Sequence, residues 1–275
     1  MIRLREKGFP KISVAVLIFI IGICYISVLI PGTGNMEMDP DAIDKAPSMA
    51  HIFGTDTLGR DVLAMVLSGG RLSLYIGVLA SLLATLIACV YGTVSGLSRR
   101  AADSALMRFT DMLLSLPSIL LILFLQAVLG EATPTSIAFV IGVTSWMPMA
   151  KIVRAEVRQT ARSGYILAAR TMGASGLWIF RRHLVPNFIP EIRFMIIINI
   201  GAAISQESTL SFLGLGLPMT DVSWGSLMSQ AEQVVLSDSW WFLLIPGTIL
   251  VITLFCINEI AEYVRLNTGK NYNNL

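Results

Sequence analysis

The chain has 275 residues, of which 55% are hydrophobic and only 14% are charged, and its mean hydropathy is +0.72. Soluble globular proteins carry about a quarter charged residues, so this composition excludes an ordinary soluble domain. The net charge of +2 arises from Lys and Arg residues that lie between apolar runs, and no basic stripe indicates a nucleic-acid partner. We therefore expect an all-α protein with several helices that cross a lipid bilayer.

Six apolar runs are long enough to cross a bilayer, which takes roughly 20 residues of helix. They cover residues 12–30, 72–97, 112–129, 136–150, 194–212 and 240–260. The fourth is short, and we expect it to continue through Val153, with Lys151 and Arg154 reaching into the headgroups. All three cysteines fall inside predicted spans without metal-ligand spacing, so we interpret them as small apolar residues.

These spans divide the chain into a short N-terminal segment, an anchor, an outer loop, a transmembrane domain and a tail. The predicted boundaries are 1–11, 12–30, 31–70, 71–262 and 263–275, with a large basic loop at 156–187. The first run lacks a small-x-small cleavage site after residue 30, so it should remain as an anchor. Lys and Arg residues near spans stay in the cytoplasm, and only Lys45, Arg60 and Arg71 would lie outside if both termini are cytoplasmic. We predict that topology.

The segment 31–70 is too long and too polar for a simple turn, and it ends in the sequence GTDTLGRD at residues 54–61. Thr55 or Asp56 could cap a helix at the membrane surface, because Val62, Val66 and Leu67 follow at helical spacing. Two roles remain open for this segment. It could be a lid that seals the outer surface, or a surface that docks a partner.

Glycines and prolines inside the spans predict close packing and bends. Gly92 and Gly96 form a GxxxG pair, which allows another helix to approach closely. Pro117 and Pro148 remove backbone hydrogen bonds from the third and fourth spans and can kink or break them. Such kinks occur in transport proteins, but structural tolerance is the simpler interpretation for each.

Three acidic residues fall inside predicted spans, where a carboxylate is costly unless it is paired or faces water. We expect Asp111 to pair with Arg108 one turn earlier, and Glu259 to lie near the inner boundary. Glu207 lies deeper in the fifth span, between Gln206 and Ser208. A role in a transport pathway or gate therefore remains open for these three neighbouring residues.

Residues 210–218 read LSFLGLGLP, with glycines too closely spaced for a regular helix and a proline at the end. Such a sequence fits a re-entrant or interfacial turn at the outer mouth, or a plain helix C-cap.

The basic loop predicts a helix-turn-helix that projects from the membrane. A short helix at 165–172 would end at Gly173, which permits a turn, and Ser175 would cap a second helix that ends at Pro186. Exposed Trp178 and Phe180 would then need a protein partner. In the alternative, the hairpin packs only on its own spans.

Four of these residues, Ala168, Ala169, Gly173 and Pro186, resemble the EAA loop of binding-protein-dependent ABC importer permeases. The segments 54–61, 210–216 and Ser223-Trp224-Gly225 narrow the resemblance to the second permease of dipeptide, oligopeptide and nickel importers. The resemblance implies a type I ABC importer permease in the bacterial cytoplasmic membrane. The chain departs from the family pattern at Leu167, where a Glu is frequent, and at His183, where an apolar residue is usual.

The resemblance also implies a site and partners. It assigns contact with an ATPase subunit to the loop residues Ala168, Ala169, Arg170, Gly173, Ala174, Ser175 and Pro186. The partners implied are a second homologous permease, two ATP-binding cassette subunits that hold ATP and Mg, and an extracytoplasmic solute-binding protein. The chain itself has no GxxxxGK[ST] phosphate loop, so we expect no catalytic residue, cofactor or metal site in it.

Three alternatives remain open from the residues. The cargo could be nickel or a metal chelate instead of a di- or oligopeptide, and His51 and His183 are the only histidines. A secondary transporter or channel would use Asp111, Glu207 and Glu259 as ion sites. A membrane scaffold or sensor would use the basic loop to hold a cytoplasmic partner without moving solute.

Overall fold

The computed structural model describes residues 8–29, 38–218, 220–232 and 239–272, and these residues form helices and no strand. The region after residue 30, where no cleavage site is expected, and most of the predicted N-terminal segment 1–11 lie outside the described residues. The helices follow in chain order as α1 Lys11–Ile26, α2 Val62–Leu97, α3 Arg100–Leu114, α4 Ser118–Leu129, α5 Pro134–Ser145, α6 Met147–Ala161, α7 Gly164–Thr171, α8 Gly176–Ile179, α9 Val185–Phe212, α10 Trp224–Glu232 and α11 Trp241–Tyr272.

The apolar helices account for the six predicted spans. Three stretches can each cross a bilayer alone by length and composition: α2, the stretch Gly176–Phe212 and the first 27 residues of α11. Two bent pairs, α3 with α4 at 90° and α5 with α6 at 45°, are long and apolar enough to cross when each pair is taken as one span. The first predicted span corresponds to α1, an apolar helix of 16 residues that is shorter than the others. The predicted all-α architecture is therefore confirmed.

Both prolines at which a kink was predicted lie at the bends of the two bent pairs. Pro117 is the N-cap of α4, and Pro148 lies in the first turn of α6. Each proline lacks an N–H, so it fits best where a new helix begins and no hydrogen bond is required. The fourth span continues past Val153 as expected, but as a second helix that reaches Ala161.

The GxxxG prediction is confirmed by the contact between α2 and α6. A Cβ added at Gly92 would lie 2.8 Å from Cβ of Val153, and one at Gly96 would lie 2.8 Å from Cγ1 of Val157. Only glycine leaves room for an approach this close. These contacts belong to an apolar core that also includes residues of α7 and α9.

The segment 38–61, called the cap segment below, folds against the start of α11 and α10. Asp56 accepts hydrogen bonds from the backbone N–H groups of Leu58 at 2.9 Å and Arg60 at 2.8 Å. The Arg60 guanidinium donates to Asp56 at 2.6 Å and to Gln230 of α10 at 3.0 Å. The indole N–H of Trp241 donates to the Thr55 carbonyl at 3.2 Å.

The predicted helix start at Thr55 or Asp56 is wrong. Asp61 is the N-cap, and its carboxylate accepts from the N–H groups of Leu63 at 2.8 Å and Ala64 at 3.2 Å. Asp56 is already occupied by its own loop, and Gly59 has a φ of 76°, which interrupts a right-handed helix. The predicted surface helix is the first part of α2, continuous with the second span.

The alternatives for residues 210–218 are resolved in favour of a helix C-cap. Helix α9 ends at Phe212, and Gly214 adopts a φ of 72°. The N–H of Leu215 donates to the carbonyl of Leu210 at 2.9 Å, and that of Gly214 donates to Ser211 at 3.0 Å. This pattern satisfies carbonyls that the helix end would leave without a partner.

One predicted ionic partner is wrong, and two side chains expected to reach headgroups are paired within the chain. Asp111 pairs with Lys151 of α6 rather than with Arg108, so Lys151 does not reach freely towards headgroups. Arg154 likewise pairs with a carboxylate, that of Asp103. These pairs form because the bent pairs bring α3 alongside α6, a tertiary contact that local spacing does not encode. Glu259, near the end of the sixth span, accepts a hydrogen bond from Ser13 Oγ of α1 at 2.6 Å.

Candidate coupling hairpin and polar groove

The basic loop forms a hairpin, residues 164–184, called the α7–α8 hairpin below. Helix α7 ends at Thr171, and Met172 and then Gly173 follow; the φ of 84° at Gly173 reverses the chain. The Ser175 hydroxyl accepts the N–H of Trp178 at 3.3 Å and so caps α8. A Cβ added at Gly173 would meet no atom within 4 Å, so the turn needs glycine for its backbone conformation alone. The predicted helix-turn-helix is confirmed.

The hairpin is firmly packed on the helices from which it projects. Ile166, Ile179 and Leu184 are all at most 3% exposed, and they join the apolar core of α2, α6 and α9. Ala169 and Ala174 are half-buried, whereas Ala168, Arg170 and Ser175 are exposed. The hairpin therefore has an inner face fixed to the protein and an outer face that is free to make contacts.

The expected end of the second helix at Pro186 is wrong. The chain passes from α8 through a π-helical turn, Phe180–Leu184, directly into α9, where Pro186 occupies the first turn. A proline in a regular helix interior loses a hydrogen bond and clashes with the carbonyl four residues earlier. The wider π-helical turn before it changes the hydrogen-bond register at that position, so the helical path continues through the proline.

The outer face of the hairpin is apolar with a basic rim. Leu167, Met172 and Leu177 are 52%, 87% and 68% exposed, and Trp178 is 49% exposed. A groove of about 460 Å³ is lined by Ser175, Leu177, Trp178, Arg181 and Arg182. Exposed apolar side chains of this size mark a protein interface when polar residues surround them. This surface suits a partner with an apolar centre and acidic residues around it.

An aromatic cluster that sequence reasoning missed fixes the two arms of the hairpin. The His183 ring lies 5.6 Å from the Tyr165 ring of α7 and 5.1 Å from the Trp178 ring of α8. Asn187 donates to the Tyr165 hydroxyl at 3.0 Å and to the His183 carbonyl at 2.9 Å. In the sequence, only the spacing of four residues between His183 and Asn187 could have indicated this contact. His183, where relatives usually have an apolar residue, therefore makes contacts within the hairpin.

Glu207 lies among helices rather than on a surface. It is fully buried, and its carboxylate accepts from Ser73 Oγ of α2 at 3.1 Å and from Ser211 Oγ at 2.8 Å. Ser73 Oγ also accepts the backbone N–H of Trp224 at 3.2 Å. This network ties α9 to α2 and to the start of α10. The network supplies the hydrogen-bond partners that a buried carboxylate such as that of Glu207 needs.

Gly225 explains the third motif of the resemblance. A Cβ added there would lie 2.4 Å from the Cα of Ser208, so α10 and α9 touch through backbone atoms. Trp224 is fully buried beside this contact, and its indole N–H donates to the Val66 carbonyl at 3.0 Å. Ser208 is buried in the same contact. The Ser223-Trp224-Gly225 sequence therefore locks α10 onto α9 and α2.

Gln206 faces a different environment from Glu207. It lines a cavity of about 200 Å³ between α4 and α9, called the polar groove below, whose other lining residues are Ser118, Ser205, Thr209 and the apolar Ile119, Ile122 and Leu210. Its side-chain carbonyl oxygen is buried and has no hydrogen-bond partner among the described residues. Amide and hydroxyl groups at membrane depth do not face lipid tails without cost, so this polar groove suits water, a solute or another protein chain.

The chain matches known proteins over most of its length. Residues 88–265 match the family described as binding-protein-dependent transport system inner membrane component. The chain is 34% identical to the dipeptide transport system permease protein DppC of Bacillus subtilis (strain 168), over 94% of this chain and 81% of that protein. It is also 34% identical to the oligopeptide transport system permease protein OppC of the same organism, over 96% of this chain and 86% of that protein.

Solved structures share the fold. The methionine ABC transporter MetNI in inward-facing conformations has a chain that aligns with a TM-score of 0.59 and 17% identity, over 74% of this chain and 95% of that one. An amino acid ABC transporter solved with histidines aligns with a TM-score of 0.54 and 16% identity, over 75% of this chain and 94% of that one. These alignments confirm the predicted ABC importer permease architecture. Together with the sequence matches, they lead to one conclusion: the chain belongs to the family of binding-protein-dependent transport system inner membrane components.

Proposed function

We propose that this chain is one of two permease subunits of an ATP-driven importer for di- and oligopeptides. The observation that carries the proposal is the α7–α8 hairpin, whose inner face is fixed to the spans and whose outer face exposes an apolar groove with a basic rim. A surface of this kind can receive force from a partner and pass it to the helices behind it. The names of the similar proteins, dipeptide and oligopeptide permeases, support the choice of cargo.

The complex would contain this permease, a second homologous permease, two ATPase subunits and an extracytoplasmic solute-binding protein. ATP and Mg would be bound by the ATPase subunits, and this chain would be non-catalytic. Closure of the ATPases would displace the hairpin and move the permease pair between inward-open and outward-open states. Each state would be stabilised by different contacts, as in other two-state transporters.

The solute path would run along the groove between α4 and α9. Gln206 is the candidate to touch the peptide, because its unpaired carbonyl oxygen can accept a peptide N–H. Glu207 and Ser208 would act from behind this wall, since both are buried in the contact of α9 with α2 and α10. The groove would be closed on its open side by the second permease.

The predicted orientation puts both termini and the hairpin in the cytoplasm and the cap segment outside. The basic residues of the hairpin, including Arg170, Arg181 and Arg182, favour this orientation. A membrane-impermeant thiol reagent applied to intact cells tests it. We expect labelling of Met49→Cys in the cap segment and no labelling of Met172→Cys until the membrane is permeabilised.

The direct test of function is reconstitution of the complex, purified through a tag on this chain from its own cells, into proteoliposomes. We expect a second permease and ATPase subunits to co-purify, and radiolabelled trialanine to enter in an ATP-dependent manner when the solute-binding protein is present. Radioactive nickel in place of trialanine tests the alternative cargo. Uptake by this chain alone, driven by a proton gradient and insensitive to ATP, would contradict the proposal and favour a secondary transporter.

A further inference from the structure

A buried carboxylate joins three helices beside the α7–α8 hairpin. Asp103, near the start of α3, is 3% exposed. Ser95 of α2 donates to its Oδ1 at 2.7 Å. Arg154 of α6 donates through Nη2 to Oδ2 at 2.6 Å and through Nε to Oδ1, and Arg158 donates through Nη1 to Oδ2. Both oxygens are therefore occupied, and one negative charge faces two guanidinium groups.

The helices that meet at Asp103 are also packed tightly on one another. Val153 and Val157 of α6 fit over Gly92 and Gly96 of α2. Arg154 follows directly after Val153, on the same two turns of α6. The apolar contact fixes α6 on α2, and the ionic contact adds α3 to them. These three helix ends thus form one packed unit.

This unit lies between the hairpin and the polar groove. Only two residues separate the end of α6 at Ala161 from the start of α7 at Gly164. Ile166 of α7 is buried in the same core as Val153 of α6. On its other side, α3 leads through the 90° bend into α4. Ser118, the first residue of α4, lines the groove that holds Gln206. One route from the hairpin to α4 therefore runs through α6 and α3, beside the direct path from the hairpin into α9.

We propose that Asp103 is a positioning residue for transport, which makes α3 move with α6 so that displacement of the hairpin reaches the α4 wall of the groove. This inference rests on the proposed function of the hairpin. A second ion pair, Asp111 with Lys151, joins the same two helices, but these side chains are 59% and 41% exposed. Exposed ion pairs contribute little, whereas a buried carboxylate held by forked guanidinium donors fixes both distance and orientation. Of the ion pairs between α3 and α6, those of Asp103 are therefore the ones that fix the two helices to each other.

The test compares Asp103→Asn with Asp111→Asn in the full complex in proteoliposomes, with the solute-binding protein and radiolabelled trialanine. Three quantities are measured: co-purified ATPase, the rate of ATP hydrolysis, and trialanine taken up per ATP hydrolysed. For Asp103→Asn we expect normal ATPase co-purification, hydrolysis within about twofold of the wild type, and uptake per ATP lower by about tenfold. Asp103→Glu should recover part of this ratio, and Asp111→Asn should leave it unchanged.

Uptake per ATP at the wild-type value in Asp103→Asn would overturn the inference and leave the proposed function intact. If Asp103→Asn does not assemble, Arg154→Lys replaces it, because Lys keeps the charge and loses the planar fork with which Arg154 holds both carboxylate oxygens. The same ratio should then fall by a smaller factor, and an unchanged ratio would again overturn the inference. A wild-type complex without ATP-dependent uptake would instead overturn the proposed function, and the inference with it.

Discussion

The buried polar network at the cap end and the outer face of the α7–α8 hairpin differ in whether their side chains are satisfied within the chain. At the cap end, polar groups such as Asp56 and Glu207 are buried and hydrogen-bonded to neighbouring helices. At the hairpin end, large apolar groups such as Met172 and Leu177 are exposed. Substitutions in the buried network at the cap end should therefore affect folding, whereas substitutions on the outer face of the hairpin should affect function.

Gly225→Ala should have the largest effect on stability, because the added methyl group would lie 2.4 Å from Cα and 2.7 Å from O of Ser208. Backbone atoms cannot move aside cheaply, and we expect a loss of about 3 kcal/mol or more in unfolding free energy. Thermal unfolding in detergent measures it. Gly247→Ala is the matched control, since its added methyl group would meet only Met228 Cε at 3.8 Å and should change little.

Glu207→Ala should cause the next largest loss of unfolding free energy. It would leave the hydroxyls of Ser73 and Ser211 without their acceptor in a buried site, at a cost of about 2 kcal/mol. Glu259→Ala, which removes one hydrogen bond to Ser13 in a half-buried site, should cost less. Denaturant titration of the two purified variants compares them, and equal stability would refute the structural role of the Glu207 network.

Gly173→Trp should separate folding from transport. Its φ of 84° makes a larger residue cost about 1–2 kcal/mol locally, but no atom lies within 4 Å to clash with an added Cβ. Membrane insertion should therefore be normal, while trialanine uptake falls by about tenfold or more, since the turn would no longer fit the partner. Gly176→Ala, at an open position without positive φ, should transport normally. Wild-type uptake in Gly173→Trp would count against the hairpin as the coupling element.

Trp178→Ala should have the smallest effect on folding and a clear effect on assembly. The ring is 49% exposed but contacts the His183 ring, and we expect a loss of about 1 kcal/mol in unfolding free energy. At the centre of an interface, a Trp truncation costs about 2 kcal/mol or more in binding, so less ATPase should co-purify. Trp240→Ala is the matched control, because Trp240 is 61% exposed at the cap end and should leave the amount of ATPase unchanged.

Hydropathy and glycine pattern predicted most of the fold. The apolar runs mark the spans because backbone polar groups must be satisfied internally in lipid. Gly92 and Gly96 predicted a close contact because only small residues permit one, although nothing in the sequence named Val153 and Val157 as its other side. Gly173 and Ser175 predicted the hairpin turn because each has a local backbone function.

Contacts between distant residues could not be predicted in this way. Asp103 meets arginines 51 and 55 positions later, and such pairings follow from the bends that bring α3 beside α6. Local spacing instead suggested Arg108 as the partner of Asp111, which proved wrong. Pro186 was expected to stop a helix, but a π-helical turn before it lets the chain continue. In each case the tertiary environment overrode a local preference.

The most direct test of the hairpin as the coupling surface is site-specific photo-crosslinking in the intact complex. A photoreactive amino acid replaces Met172, which is 87% exposed in the α7–α8 hairpin, or Met49, which is fully exposed in the cap segment. We predict that the probe at position 172 forms an adduct with an ATP-binding subunit and that the probe at position 49 does not. An ATPase adduct from position 49, or none from position 172 in a complex that contains ATPase, would contradict the account.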